Sequence, residues 1–516
     1  MNIGKVMLQG TYNKVSNARW LTTKSKLISA VQVGLLSMMS LSAAADESTV
    51  AIEQAPLSAC YVDGLSEQVQ CGSLLVAENP AKPDGKKITV HYAVLPAIKP
   101  SFKKQAMLAI AGGPGQSAIE NAAGFDRVLA KVRQDRDILL IDQRGTGQSN
   151  ILACDDDDMS VLSFNDDDMD YVKDTQACLD KIDADVTQYG SLTALTDFEA
   201  IRQHLGYEKL HLYGVSYGTR MAQLYMREHP NAIATVTLDG VVPMQQSVIA
   251  IGEAIDRGYG LLFKDCQQNS LCGQQFPDLE QDFISVDNQL AKSPVKTQVR
   301  DPQTDELTSF LLTRGKFNGA IRMALYMPNI RSLTPHAIHQ AALGNYQPIL
   351  GIYTLTSDST GIAMGMHASV VCGEDIHRIT TSMREQAQDS YMGRTMIEGL
   401  EATCSVWNMP QVDNSFSDAI ASDIPTLLLS GELDPATPPS WGDMATEKLT
   451  NAKHFVSEFA THGVAYQSCG NDLIADLVSS GSIDNIDGKC LEKDVRRSFY
   501  LNANSVETLS AAAEEE

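Results

Sequence analysis

Five short, nearly continuous apolar runs constrain this chain more than any other feature: Ala106–Ala111, Ile138–Ile141, Leu210–Tyr213, Ala234–Leu238 and Thr426–Leu429. A strand with one wet face alternates polar and apolar residues, whereas a strand covered on both faces is apolar throughout. Helical patterns lie between these runs. Ala118–Val132 and Thr219–Glu228 carry apolar residues at three- and four-residue spacing,. Ile88–Leu95 alternates and reads as an edge or antiparallel strand. The expected fold class is therefore α/β, a mostly parallel sheet with helices on both faces.

The rhythm stops between Pro243 and about Pro410, where helical spacing takes over. Leu279, Phe283, Val286 and Leu290, for example, fall on one helical face,. It resumes at Ile424–Gly431. A helical cap inserted in the α/β core explains this best, since two successive domains would leave the first without its last strands. The expected division is a signal segment at 1–45, the first part of the core at 46–243, the cap at 244–410 and the second part of the core at 411–516.

Lys24 and Lys26 precede a fifteen-residue apolar stretch, Leu27–Leu41, followed by Ala43-Ala44-Ala45. Basic, apolar and small-residue segments in that order read as a secretory signal. The stretch is short for a membrane span of about 20 residues. The tract before Lys24 reads as a leader upstream of the true start. No other window is apolar enough to cross a bilayer, so the chain is expected to be exported, to the periplasm or beyond, without stable membrane insertion. Segment 1–45 holds five basic residues and no acidic one; without it, 35 basic residues face 64 acidic ones. Such a chain repels phosphate backbones and anionic lipid, which argues against nucleic acid as a partner. All ten cysteines follow the proposed cut. They fall into neighbouring couples, Cys60/Cys71, Cys154/Cys178, Cys266/Cys272, Cys372/Cys404 and Cys469/Cys490. Local disulfides are the simplest arrangement, because short loops bring their ends together most easily. The acidic runs Asp155–Asp158 and Asp166–Asp168 are expected to form a solvated loop, and Glu514–Glu516 a frayed tail.

Gly214-Val215-Ser216-Tyr217-Gly218 is a G-x-S-x-G pattern between an expected strand and an expected helix. A tight turn there strains the serine backbone and exposes its hydroxyl. Gly214 and Gly218 are expected because side chains would collide with strand and helix. The turn places the Tyr217 N–H at a helix N-terminus, facing developing negative charge. A serine hydroxyl is a poor nucleophile and needs a base, and the base needs an orienting acid. Asp434 and His462 are the candidates, both on loops after expected strands,. Glu432 competes with Asp434, which is preferred because Pro435 fixes the turn after it. Gly112-Gly113-Pro114-Gly115 follows another strand and offers a second oxyanion donor, Gly113 or alternatively Gly112,. Asp142 and Arg144, in the loop Asp142–Ser149, are read as supporting residues; the loop lacks the third glycine of a dinucleotide fingerprint,. His336 and His339 are read as helix-surface residues rather than metal ligands, so no metal is expected at the site,.

GGPGQS, DQRGTGQS, GVSYGT, GELDPATP and THG, in this order, resemble the proline iminopeptidase and tripeptidyl aminopeptidase family of α/β-hydrolases over roughly residues 60–495. The resemblance implies a hydrolase core under a helical cap. It implies Ser216 as nucleophile, Asp434 and His462 as its partners, and the GGPG loop with Tyr217 as oxyanion hole. Ala111 departs from the pattern, since proline iminopeptidases typically carry His before GGPG. The exported, tripeptidyl-type branch is closer, also through Gly365–Asp375 with Cys404 and Trp407 downstream. An aminopeptidase must hold a free α-ammonium at a fixed distance from the serine, and a carboxylate does so by charge-assisted hydrogen bonds. Glu374 is the candidate anchor, with Asp375 assisting or structural; the alternative is a structural acid beside a disulfide.

The function expected is a serine exopeptidase that cleaves peptides from a free N-terminus through an acyl-enzyme, with no metal or organic cofactor. Two alternatives stand beside it: a carboxylesterase acting on small esters with the same residues, and a non-catalytic binding protein on a hydrolase scaffold.

Overall fold

The computed structural model describes residues 57–153, 162, 165–300, 305–357 and 361–508. The proposed signal segment, Cys154, Asp155–Asp158 and the Glu514–Glu516 tail lie outside the described residues. Nine strands form the main sheet. Three of them, β1 (Ser58–Cys60), β2 (Val69–Ala77) and β3 (Lys87–Leu95), are antiparallel to their neighbours. The others are β4 (Gln105–Ile110), β5 (Asp137–Ile141), β6 (Lys209–Val215), β7 (Ile233–Asp239), β10 (Thr426–Gly431) and β11 (Ala452–Ser457). Between β7 and β10 in the chain comes a separate hairpin, β8 (Val295–Arg300) and β9 (Leu307–Leu312). The main-sheet order is β1-β2-β3-β5-β4-β6-β7-β10-β11, and the last six strands run parallel.

Helices cover both faces, which is why the parallel strands are apolar throughout. Alternate residues of a strand point to opposite faces. Leu108, Leu139, Leu212 and Leu428 pack on one side with α2 (Ser191–Leu205) and α3 (Tyr217–Glu228). Met107, Leu140, Tyr213 and Leu427 pack on the other with α1 (Ala122–Val128) and a C-terminal helix, Gly470–Ser480. The sheet is the mostly parallel α/β architecture expected.

β3 is antiparallel, one of the two readings given for it, and β2 and β1 continue the sheet beyond it. Two local readings are corrected. Helix α1 is shorter than the apolar spacing predicts. The residues before it are drawn into loop bonds instead: Ile119 N–H donates to Asp142 and Glu120 N–H to Ser117. The Asp166–Asp168 segment is not merely solvated, since Asp166 accepts a hydrogen bond from the Thr313 hydroxyl.

The segment between β7 and β10 builds its own apolar cluster, in which Leu279, Phe283, Val286 and Leu290 are all buried. It includes α4 (Ile251–Gln268), α5 (Arg314–Leu325), α6 (Met364–Glu374) and α7 (Gly393–Val406). The β8–β9 hairpin within it was not foreseen; its alternation is short and largely polar. Among the described residues, no helix is long and apolar enough to cross a membrane.

Four of the five expected disulfides are present: Cys60–Cys71, Cys266–Cys272, Cys372–Cys404 and Cys469–Cys490. The expected Cys154–Cys178 bridge is not among them. Cys178 is buried near the end of the helix Tyr171–Leu179, in the same apolar cluster as Leu139 and Leu212, and its sulfur is disulfide-bonded. Cys154, the expected partner of Cys178, lies outside the described residues, so this fifth pairing is a proposal and not an observed bridge.

Candidate active site

Each element of the site sits at the carboxyl end of a parallel strand, where an open α/β sheet leaves a crevice. Ser216 lies between β6 and α3 with φ 57° and ψ −128°. A non-glycine residue in that region stores strain, and here the turn enforces it from both sides. A Cβ on Gly214 would come within 2.4 Å of the Gly218 carbonyl oxygen. One on Gly218 would come within 2.2 Å of the Ile110 carbonyl oxygen. The Tyr217 N–H opens α3, where no earlier helical carbonyl exists to receive it.

Asp434 and His462 meet. The imidazole Nδ1 lies 2.8 Å from Asp434 Oδ2. Asp434 also accepts the backbone N–H groups of Ala436 and Thr437 at 2.8 and 2.9 Å, and the Thr437 hydroxyl at 2.7 Å. The Thr437 Oγ1 stands 3.2 Å from His462 Nδ1 as well. Asp434 is fully buried. Burial opposes its ionisation, but His462 and the Thr437 bonds hold it below the usual carboxylate range. Burial likewise lowers the imidazole, and Asp434 more than reverses this, raising His462 above the ordinary histidine value,. Glu432, the competing acid, pairs instead with Arg257 of α4.

Three residues not foreseen from the sequence hold these parts together. Asp239, at the end of β7, accepts the Ser216 N–H through its carbonyl at 3.0 Å. Its carboxylate accepts the N–H groups of Val464 and Ala465 at 2.7 and 3.0 Å. Gly240 follows in a left-handed conformation, and a Cβ there would press within 3.1 Å of the His462 ring. Gln467 donates to the His462 carbonyl at 2.7 Å and accepts the Thr461 N–H at 2.9 Å. Only Asp239 carried a sequence signal, as an acid at a strand's carboxyl end.

Gly112 lies directly against the serine, since a Cβ on it would sit 3.0 Å from the Ser216 Cβ. Gly113 has φ 106°, a conformation that favours glycine, and precedes a cis proline,. Asp142 braces this loop by accepting the Ser117 hydroxyl at 2.6 Å and the Ile119 N–H at 3.0 Å. Arg144 is wholly buried and bonds both oxygens of Asp197 at 2.7 and 2.8 Å. The loop is also stitched to the inserted segment: Ala363 N–H donates to the Gly115 carbonyl at 3.0 Å, just before α6.

Glu374 and Asp375 end α6 in the interior. Glu374 accepts the Ser191 N–H at 2.7 Å and the Ser191 hydroxyl at 2.8 Å. The same hydroxyl lies 2.6 Å from the Tyr217 phenol, so one polar link joins Glu374 to the residue after Ser216. Burial raises the Glu374 carboxyl to about 7 against the pull of Arg220. Asp375 is occupied by Arg220, at 2.8 and 3.2 Å, and by the Val248 N–H. His339 pairs with Asp282 at 2.7 Å, and both His336 and His339 pack against Phe276.

Sheet order and a strained serine at a strand-to-helix turn define an α/β-hydrolase. Residues 389–490 match the family model described as TAP-like protein. It is 24% identical to the serine protease Hip1 of Mycobacterium tuberculosis, over 81% of this chain and 87% of that protein. It is 27% identical to the tripeptidyl aminopeptidase of Streptomyces lividans, over 36% of this chain and 37% of that protein. Among solved structures, the proline iminopeptidase of Mycobacterium smegmatis covers 80% of this chain and 98% of its own, at 12% identity and a TM-score of 0.34.

Proposed function

We propose that the protein is an exported serine peptidase that cleaves peptides from a free N-terminus, with residues 244–410 acting as a cap over the site. The observation that carries this reading is the Asp434–His462 pair at 2.8 Å, held by Asp239 and Gly240 beside the strained Ser216. With Nδ1 engaged by Asp434, the imidazole Nε2 is the nitrogen that serves the serine.

Ser216 Oγ attacks the scissile carbonyl while His462 takes its proton. Asp434 orients the ring and stabilises its cationic form. The N–H groups of Tyr217 and Gly113 receive the oxyanion, each such donor being worth about 2.7–4 kcal/mol. His462 then protonates the leaving amine, and water, activated by the same imidazole, releases the acyl group. The names of the two relatives above, a serine protease and a tripeptidyl aminopeptidase, support peptides as the substrate class. The disulfides support an oxidising compartment,. Cys154 with Cys178 is the fifth bridge of this reading, since Cys178 is bonded and the other eight cysteines pair among themselves. Glu374 is proposed as the group that senses the substrate amine, through its carboxylate next to Ser191 and Tyr217.

A panel of mono-, di- and tripeptidyl anilides, free and N-acetylated, tests this on the wild type and Ser216→Ala. Turnover of free-amine substrates that is lost on acetylation and in Ser216→Ala supports it. Ester turnover without anilide turnover would replace it with the carboxylesterase reading. No turnover and no labelling by a fluorophosphonate would leave a binding protein.

A further inference from the structure

The arginines of this acidic chain are matched wherever they leave the surface. Arg144 bonds Asp197, Arg220 bonds Asp375, Arg331 bonds Asp265 and Arg314 bonds Asp287. Arg322 stands apart. It is half-buried in the last turn of α5, and among the described residues it forms no ion pair with a carboxylate. Its Nε is buried and has no hydrogen-bond partner, and its Nη2 makes only a long contact of 3.5 Å to the Tyr326 phenol. A guanidinium nitrogen buried without a partner is costly, and natural interiors tolerate one where a ligand completes the group.

Its surroundings place it at the reaction centre. Tyr326, one turn further on, packs its ring edge-on against the His462 imidazole, with centroids 5.0 Å apart. The Arg322 charge also reaches His367 of α6, whose Nδ1 lies 3.4 Å from the Pro114 carbonyl in the glycine-rich loop. Burial lowers the His367 imidazole, the Pro114 carbonyl opposes this, and the charge of Arg322 adds to the lowering. Through Tyr326, Arg322 thus adjoins the candidate base, and its charge is felt by the histidine beside the glycine-rich loop.

We propose that Arg322 is a specificity residue that receives a carboxylate of the bound peptide, pairing with it through the planar guanidinium fork. This rests on the peptidase reading of the Ser216 site and adds a substrate class to it: peptides bearing an acidic side chain or a free C-terminal carboxylate near the scissile bond. A fork of N–H donors matches a carboxylate in two parallel hydrogen bonds, which lysine does not reproduce.

The test compares Arg322→Met and Arg322→Lys with the wild type on matched peptides. One pair carries Glu against Gln beside the scissile bond with the C-terminus amidated. The other carries a free against an amidated C-terminus with no acidic side chain. The wild type is expected to prefer the carboxylate member of one pair about tenfold or more, and the pair that responds identifies the source. Arg322→Met is expected to erase that preference by raising KM for the carboxylate member, with kcat and the neutral member changed less than about threefold; Arg322→Lys restores part of it. Equal losses on both members, or no wild-type preference, overturns the proposal. A second readout needs no turnover: the preferred carboxylate peptide slows fluorophosphonate labelling of Ser216 in the wild type but not in Arg322→Met. If no peptide is cleaved, the peptidase reading fails; if protection is identical in both proteins, the Arg322 assignment fails.

Discussion

Asp239 accepts the Val464 N–H at 2.7 Å through its carboxylate while its own carbonyl accepts the Ser216 N–H at 3.0 Å. One residue at the end of β7 therefore sets the distance between the serine turn and the histidine loop. Its carboxylate also takes the Ala465 N–H and the Tyr213 hydroxyl, so it is saturated although wholly buried. Burial raises this carboxyl, and the three donors oppose that rise.

Asp239→Ala should accordingly destabilise the fold and slow the serine together. Three buried donors lose their acceptor, and each orphaned donor costs about 1–3 kcal/mol. Urea unfolding should show a lower midpoint. Fluorophosphonate labelling of the folded fraction should slow, because the His462 loop is no longer anchored to β7. Unchanged labelling of folded protein would show that the clamp serves stability alone.

Thr437 lies between acid and base, bonding Asp434 at 2.7 Å and standing 3.2 Å from His462 Nδ1. Thr437→Val keeps the shape and removes the hydroxyl. Losing one hydrogen bond to a charged group is expected to cost about 1.5 kcal/mol or more, which is about tenfold in kcat. KM should change little, since nothing in this contact touches the peptide. Steady-state kinetics on a free-amine anilide separates the two parameters.

The acid limb of kcat/KM reports the base of the free enzyme. In the proposed mechanism only neutral His462 accepts the serine proton, and Asp434 raises its pKa,. Activity should therefore fall as pH drops through a midpoint above the ordinary histidine value. Asp434→Asn removes the charge that raises it, so the limb should move to lower pH while the rate drops by about 10⁴. A pH–rate profile of both proteins checks the direction of the shift. A limb that stays in place would mean that His462 is not the titrating base.

The strands and the serine turn were legible because physics writes them locally. A doubly covered strand must be apolar throughout, and the turn at Ser216 demands glycine where a Cβ would strike Gly218 or Ile110,. Asp434 and His462 were legible through their order and their places after strands. The supports were not. Asp239 acts through amides more than 220 residues further on, and Thr437 and Gln467 lie a few residues from the acid and the base with nothing in the local sequence to distinguish them from ordinary polar residues. The extent of α1 was misjudged for a related reason, because Asp142, more than 20 residues away, captures the amides before it.

Glu374 offers a test that separates its electrostatics from its proposed contact with substrate. Its carboxyl is raised from 4.5 to about 7, burial being the largest cause. The folded chain then keeps a proton that the unfolded chain releases as pH climbs past about 4.5. This group therefore subtracts stability progressively between pH 4.5 and about 7, by about 3 kcal/mol in all, and by a constant amount above that,. Glu374→Gln carries no such proton. Its amide oxygen still receives the Ser191 N–H, and its amino group can donate to the Ser191 hydroxyl, which turns towards Tyr217. Relative to wild type, the variant should gain about 3 kcal/mol between pH 4.5 and pH 8 in urea unfolding. If the carboxylate also senses the substrate amine, KM for free-amine anilides should rise in the same variant while the stability gain remains. A stability gain with no change in KM would confine Glu374 to the interior, and a constant difference across pH would mean that burial does not hold its proton.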